Sequence, residues 1–199
     1  MLSELQKLIG LEVEALKQIP IDDSFTDAVN LIHHHVHGRN GKVVISGMGK
    51  AGQIGMNIAT TLSSTGTAAV FLHPMEAQHG DIGVVQQNDV VMLISNSGIT
   101  DEVVMLADLL RKLHPELPII SLTGDRNGKL HSLAQVSLVT GKPKEICPLG
   151  LTPTTSTTVM TVIGDLLVVT LMKKIGFTKA DYAKRHHSGY LGSKARDNG

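Results

Sequence analysis

Asp89-Val90-Val91-Met92-Leu93-Ile94-Ser95-Asn96-Ser97-Gly98-Ile99-Thr100-Asp101-Glu102 is the stretch from which the fold is read. The apolar run from Asp89 to Ile94 reads as a buried strand. Beyond Glu102, Val103, Leu106, Ala107, Leu110 and Leu113 recur at helical spacing. Three hydroxyl residues therefore occupy a strand-to-helix turn. A helix N-terminus leaves backbone N–H groups unpaired and carries partial positive charge. With Ser95, Asn96, Ser97 and Thr100 around it, and Gly98 allowing close backbone approach, this turn suits a phosphate monoester. Glu102, one turn in, can face whatever the phosphate anchors. An ordinary capped helix, with Ser97 or Thr100 as N-cap, is the structural alternative.

Upstream, Lys42 to Ser46 reads as a short strand. Gly47-Met48-Gly49-Lys50-Ala51-Gly52 then opens a helix to about Ser63. Gly-x-Gly-x-x-Gly is formally a dinucleotide fingerprint, but that motif needs an acid at the end of the following strand. The next strand, Thr67 to Leu72, ends in His73-Pro74, which argues against a nicotinamide cofactor. No Gly-Lys-Ser/Thr occurs, so a Walker A loop is excluded. Lys50 would meet a phosphate or an oxyanion equally well. Ser63 to Thr67 is a polar helix-to-strand turn. His73, Glu76, His79 and Asp81 crowd the loop after the second strand, at the edge where open α/β sheets place ligand chemistry.

At the N-terminus, Leu5, Leu8, Ile9, Val13 and Leu16 predict a helix from Leu2 to Ile19, ended by Pro20. A second helix runs from Phe25 to Val36. Consecutive His33, His34 and His35, with His37, point to different faces of a helix and read as a solvated end rather than a metal cluster. Downstream, Leu117 to Leu122 and Gln135 to Val139 are strands. Lys142 to Pro148 is irregular. A hydroxyl run at residues 154–158 opens a helix to Lys174, either adding donors to the site or only capping the helix. Thr178 to Arg185 is a last short helix, and residues 193–199 read as a loose tail. Strands alternating with helices predict a three-layer α/β sandwich around a five-stranded parallel sheet. The glycine-hydroxyl turns after the first and third strands put the phosphate at a switch point between them.

Composition narrows the function. At 199 residues the chain reads as one domain, 1–199, with a helical extension over 1–38. The formal net charge is zero and aromatic residues make up 3%, so no basic stripe or stacking platform invites nucleic acid. Cys147 is the only cysteine, which fits a reducing cytoplasm. The N-terminal helix is amphipathic rather than a signal peptide. The apolar stretch from Val159 to Met172 is broken by Asp165 and falls short of a membrane span.

Together these segments resemble the sugar isomerase (SIS) domain, whose phosphosugar signature is Ser95-x-Ser97-Gly98-x-Thr100. The nearer match is to arabinose-5-phosphate isomerases of the Kdo pathway, and it covers nearly the whole chain. Its motifs are Gly47-Met48-Gly49-Lys50, Ser64-Thr65-Gly66-Thr67, His73-Pro74-x-Glu76-Ala77-x-His79-Gly80-Asp81, Ser95-Asn96-Ser97-Gly98, Lys144-Glu145-x-Cys147-Pro148-Leu149-Gly150-Leu151 and His186-x-x-Gly189-x-Leu191-Gly192. His187-Ser188 stands where relatives often have Pro-Gly.

The resemblance implies a flavodoxin-like SIS fold. It also implies interconversion of D-ribulose 5-phosphate and D-arabinose 5-phosphate, the first step of Kdo biosynthesis for lipopolysaccharide or capsule. No cofactor is required, and the expected assembly is a homotetramer with sites near subunit contacts. Functional positions fall on Lys50, Glu102, Glu145 and His186. Substrate-binding positions fall on Ser46, Gly49, Gly66, Thr67, His73, Ser95, Asn96, Ser97 and Thr100. His79 matches a position associated with inhibitory zinc. Many members carry a CBS pair after this domain, which the sequence does not contain. A nucleotide-sugar feedback ligand would therefore have to bind this domain itself. The alternatives are another phosphosugar isomerase of the superfamily and a non-catalytic phosphosugar sensor.

Overall fold

The computed structural model describes residues 1–196. After α1 (Leu2–Lys17) and α2 (Asp23–Ile32), a single π-type turn spans His33–Gly38. Strand β1 (Val43–Gly47) leads into α3 (Gly49–Ser64), β2 (Ala69–Phe71) and the single turn α4 (Pro74–Ala77). Then come β3 (Val90–Ser95), α5 (Asp101–Leu113), β4 (Ile119–Thr123), α6 (Lys129–Leu133) and β5 (Val136–Val139). Three helices close the described chain: α7 (Thr155–Lys174), α8 (Lys179–Arg185) and α9 (Gly189–Arg196).

The five strands form one sheet of order β2-β1-β3-β4-β5, parallel throughout. β1, β3 and β4 are buried along their whole length, as apolar runs covered on both faces must be. Alternation sorts their side chains. Val43, Ile45, Met92, Ile94, Ile120 and Leu122 face a core closed by α2, α3 and α7. Val44, Val91, Leu93 and Ile119 face a second core closed by α5, α6 and the α4 turn. The expected three-layer α/β sandwich is the architecture observed.

Three expectations change. The 1–38 segment is helical, but Ala28, Val29, Ile32 and Val36 are built into the main core, so α2 is a full member of the helical layer. The histidine run is a solvated end only in part: His34 is exposed, but widening into a π turn lets His35 bury its ring and hydrogen-bond the Asn88 carbonyl at 3.0 Å. Finally, Ser193–Arg196 are not loose. They belong to α9, where Gly192 lies against the His186 carbonyl and the Arg196 guanidinium donates to that oxygen at 3.1 Å. A polar sequence is ordered there by backbone capture, which side-chain hydropathy does not register. Residues 197–199 of the expected tail lie outside the described residues.

Candidate functional site

At the C-terminal end of the sheet, where β1 and β3 diverge into their helices, lies a pocket of about 300 Å³. Met48, Lys50 and Ala51 line it from the β1–α3 turn. Ile94, Ser95, Asn96, Ser97 and Thr100 line it from the β3–α5 turn, and Pro153, Ser156, Thr157 and Met160 from the start of α7. This is the switch point expected from the strand order. Three helices, α3, α5 and α7, thus begin at one cavity. The α3 and α5 termini carry no side-chain cap and contribute the partial positive charge of their free N–H groups, which makes the cavity a favourable place for an anion, whereas the α7 terminus is occupied by a carboxylate, as described below.

The β3–α5 turn is held in shape by its own hydroxyls. Ser95 Oγ lies 2.7 Å from Thr100 Oγ1 and 3.4 Å from Ser97 Oγ, and it accepts the Gly98 N–H at 3.2 Å. Ser97 Oγ accepts the Ile99 N–H at 3.3 Å. Thr100 is the N-cap residue of α5, yet no side chain caps the helix. The capped-helix alternative is therefore not what these hydroxyls do; they order the loop and leave the helix end open. Gly98 has φ +68°, and a Cβ there would sit 2.9 Å from Thr123 Oγ1 and 3.1 Å from the Gly128 Cα, so this turn accepts only glycine. Gly47 and Gly52 serve close helix–strand packing: a Cβ on Gly52 would meet the Gly47 carbonyl oxygen at 2.6 Å, and one on Gly47 the Ile94 carbonyl oxygen at 3.0 Å.

Lys50 is exposed at the mouth, with Nζ 3.5 Å from Gln53 Oε1. Gly49, the first residue of α3, is also exposed, at φ +56°. Glu102 is half-buried in the first turn of α5 but does not line the pocket. Glu145 approaches from the loop before α7. Its Oε2 accepts the Thr154 N–H at 2.7 Å, the Thr154 hydroxyl at 2.9 Å and the Ser156 N–H at 3.3 Å. Burial alone would raise the Glu145 carboxyl, but these bonds from Ser156 and Thr154 outweigh it and hold the group below its ordinary value. Glu145 is thus the capping anion of α7.

The remaining positions lie elsewhere. Ser46 is fully buried and its hydroxyl donates to the Leu72 carbonyl at 2.6 Å, tying β1 to the end of β2. Gly66 and Thr67 sit before β2, at the opposite end of the sheet. There Thr67 Oγ1 is 3.2 Å from His37 Nε2, and Gly66 is pressed against Phe177. None of Ser46, Gly66 and Thr67 lines this chain's own pocket. His73 caps α4 and His79 follows it. Both are exposed, and neither lines the pocket. Among the described residues no three His, Cys, Asp or Glu side chains come together to hold a metal, so the donor set around His79 does not make a closed zinc site. His186 stacks on the Tyr182 ring at 3.7 Å between centroids, with Nδ1 3.0 Å from the Tyr182 carbonyl oxygen, away from the pocket.

Sequence reasoning left the α7 wall open between two uses. The structure shows the first: Ser156 and Thr157 line the cavity, while the cap of α7 is Glu145, to which the Thr154 hydroxyl donates, and no hydroxyl of the run caps the helix. A larger groove of about 840 Å³ lies between α1, α2 and α7. It is lined mainly by apolar side chains such as Ile21, Phe25 and Leu166, and it is remote from the hydroxyl turn.

Comparison with known proteins agrees with this geometry. The SIS domain model matches residues 38–170. Arabinose 5-phosphate isomerase KdsD of Salmonella typhi is 45% identical over 184 residues, which is 92% of this chain and 56% of the relative. The chain thus spans a little over half the length of the curated relatives it matches. A crystal structure from Bacteroides fragilis, of a candidate phosphosugar isomerase involved in capsule formation, superposes with TM-score 0.94 at 55% identity. It covers 96% of this chain and 99% of that one. An Escherichia coli CFT073 protein in complex with arabinose 5-phosphate superposes with TM-score 0.83 at 36% identity, over 93% of this chain and 96% of that one. The fold, the switch-point pocket and its hydroxyl turn, taken with these matches, place the chain in the SIS domain family.

Proposed function

We propose that this chain is an aldose–ketose isomerase that interconverts D-ribulose 5-phosphate and D-arabinose 5-phosphate. The observation that carries the reading is the convergence of the uncapped α3 and α5 N-termini and the Ser95–Thr100 hydroxyl turn on one small pocket with Lys50 at its mouth. The name of the Salmonella typhi relative and the arabinose 5-phosphate bound to the Escherichia coli CFT073 neighbour support the choice of sugar phosphate.

Moving a carbonyl between C1 and C2 requires removal of a proton beside the carbonyl, a cis-enediol(ate), and reprotonation at the other carbon. The phosphate, held in the β3–α5 turn, fixes the sugar chain relative to the protein, which supplies positioning. Lys50 offsets phosphate or enediolate charge. Glu102 is assigned as the carbon-proton base, because it follows the phosphate turn and engages in no capping bond. Glu145, held ionised at the α7 terminus, passes protons between the oxygens. His186 would share that shuttle or open the aldose ring. It lies away from this chain's pocket, so its participation calls for a second copy. A homotetramer with sites near subunit contacts meets that need, and the exposed Leu2, Leu5 and Ile9 of α1 give it apolar surface. The chemistry needs no cofactor, and zinc at His79 would act only as an inhibitor. The lone Cys147 fits a cytoplasmic setting.

The test is a discontinuous assay for arabinose 5-phosphate formed from ribulose 5-phosphate, with and without EDTA. Turnover that survives EDTA is expected. Binding of ribulose 5-phosphate without turnover would replace the isomerase reading with a sensor or a sister isomerase.

A further inference from the structure

A half-buried acid on α1, Glu12, has no part in the mechanism above. Glu12 Oε1 accepts the Thr155 hydroxyl at 2.8 Å. Thr155 is fully buried, and the same hydroxyl oxygen accepts the Ile146 N–H at 3.1 Å. Ile146 follows Glu145, and Thr155 lies between the two residues whose N–H groups Glu145 caps. A continuous hydrogen-bond path therefore runs from α1, through Thr155, to both ends of the junction that carries Glu145 and the α7 wall.

The other oxygen, Glu12 Oε2, is buried and has no hydrogen-bond partner among the described residues. Leaving a carboxylate oxygen in that state is unfavourable, and packing alone would be served better by an apolar side chain. The cost is offset by what Oε1 does. An acceptor is needed to turn the Thr155 hydroxyl so that its lone pair receives the Ile146 N–H.

We infer that Glu12 is a positioning residue for Glu145 and the α7 wall of the pocket, acting through the Thr155 hydroxyl. This rests on the reading of Glu145 as a group of the isomerase site. Without the acceptor, the Thr155 rotor is released, the 145–156 junction loosens, and Glu145 leaves its place relative to the bound sugar. The phosphate turn, built on β3 and α5, stays intact. Turnover is therefore affected more than substrate capture.

The experiment measures kcat and KM for ribulose 5-phosphate, with thermal unfolding alongside, in the full chain and in Glu12→Gln, Glu12→Leu, Thr155→Val and Glu145→Gln. Glu12→Gln keeps an acceptor and should retain kcat within about threefold. Glu12→Leu and Thr155→Val should each lower kcat by roughly 10- to 100-fold with KM nearly unchanged, as displaced catalytic groups do. Combining them should add little further loss, because both break one path. The inference is overturned if Glu12→Leu and Thr155→Val keep kcat, whatever happens to the melting temperature. It is also overturned if Glu12→Gln falls as far as Glu12→Leu, since charge rather than the hydrogen bond would then be at work. Normal turnover in Glu145→Gln would overturn the assignment of Glu145 first, and this positioning role with it. An inactive Glu145→Gln beside an unaffected Glu12→Leu would overturn the positioning role alone.

Discussion

The two ends of the sheet handle polar groups in opposite ways. At the N-terminal end, buried polar atoms are closed upon one another. Asp89, only 1% exposed, accepts the Lys42 N–H at 2.9 Å, the Lys42 ammonium at 2.7 Å and the Gln86 N–H at 2.7 Å. His35 and His37 are bound to Asn88 and Thr67 at the same end. At the C-terminal end, hydroxyls order a turn but leave a helix terminus uncapped beside an open pocket. One end binds its polar groups to one another, the other leaves them facing a pocket. Strand direction sets the difference: parallel strands collect all the helix N-termini that follow them at a single edge.

Substitutions at the two ends should therefore fail in different ways. The largest effect is expected from Glu102→Gln, which should lower kcat at least ~100-fold, a common contribution of a general base, while the melting temperature stays put. Wild-type turnover in that variant would remove Glu102 from the base role. Asp89→Ala should do the reverse. It strips three donors of their acceptor and should cost about 3 kcal/mol in denaturant unfolding, the lower end for a broken buried pair because the Lys42 ammonium can reach water. Ribulose 5-phosphate turnover by the folded variant should be unchanged, and a selective loss of turnover would blur the division between the ends.

A subtler contrast is one of pH. Burial pushes both the His35 and the His37 ring below their ordinary value, so each is neutral in the fold and takes up a proton more readily when unfolded. Because the unfolded chain binds more protons there, stability should be full above the ordinary imidazole value of about 6.5 and fall as pH drops through and below it. Urea midpoints from pH 8 to pH 5 would show this slope, and His35→Gln should flatten it. A flat profile in the parent chain would mean that the N-terminal end of the sheet is not dry. The smallest effect concerns Cys147, beside the open end. The Thr152 hydroxyl, with the N–H groups of Thr152, Leu151 and Leu149, lowers its thiol to about 6. Alkylation by iodoacetamide should therefore show a midpoint near that value, and Thr152→Val should shift it upward. An ordinary thiol profile would show that the 147–152 loop does not wrap the sulfur.

Much of this was legible in the chain. Buried parallel strands announce themselves as uninterrupted apolar runs, so β1, β3 and β4 were readable within a residue or two. The Ser95–Thr100 turn was readable because its chemistry and its shape come from the same six residues. The α7 wall was only half-readable: Ser156 and Thr157 meet the turn across the sheet, and nothing local distinguishes a hydroxyl that lines a pocket from one that caps a helix. The partners of Ser46 and Thr67 were not readable, because a polar residue in a motif looks alike whether it faces a ligand or ties down a backbone carbonyl or a histidine. Capture of the His186 carbonyl by Arg196, with Gly192 packed against it, leaves no hydropathic trace, which is why residues 193–196 read as a tail.

The position of α7 after the strands carries a consequence for how the molecule is made. All five strands are complete once Val139 has been synthesised. Yet the face of the sheet bearing Ile45, Met92, Ile94 and Leu122 is covered in part by Val159, Ile163, Leu167 and Leu171, which emerge later. At about 5–20 residues per second, the nascent sheet must wait several seconds with an apolar flank open to other chains. The same helix brings Ser156 and Thr157 to the cavity, so capacity to hold a ligand and protection from aggregation arrive together. A polypeptide halted before Thr155 would have neither.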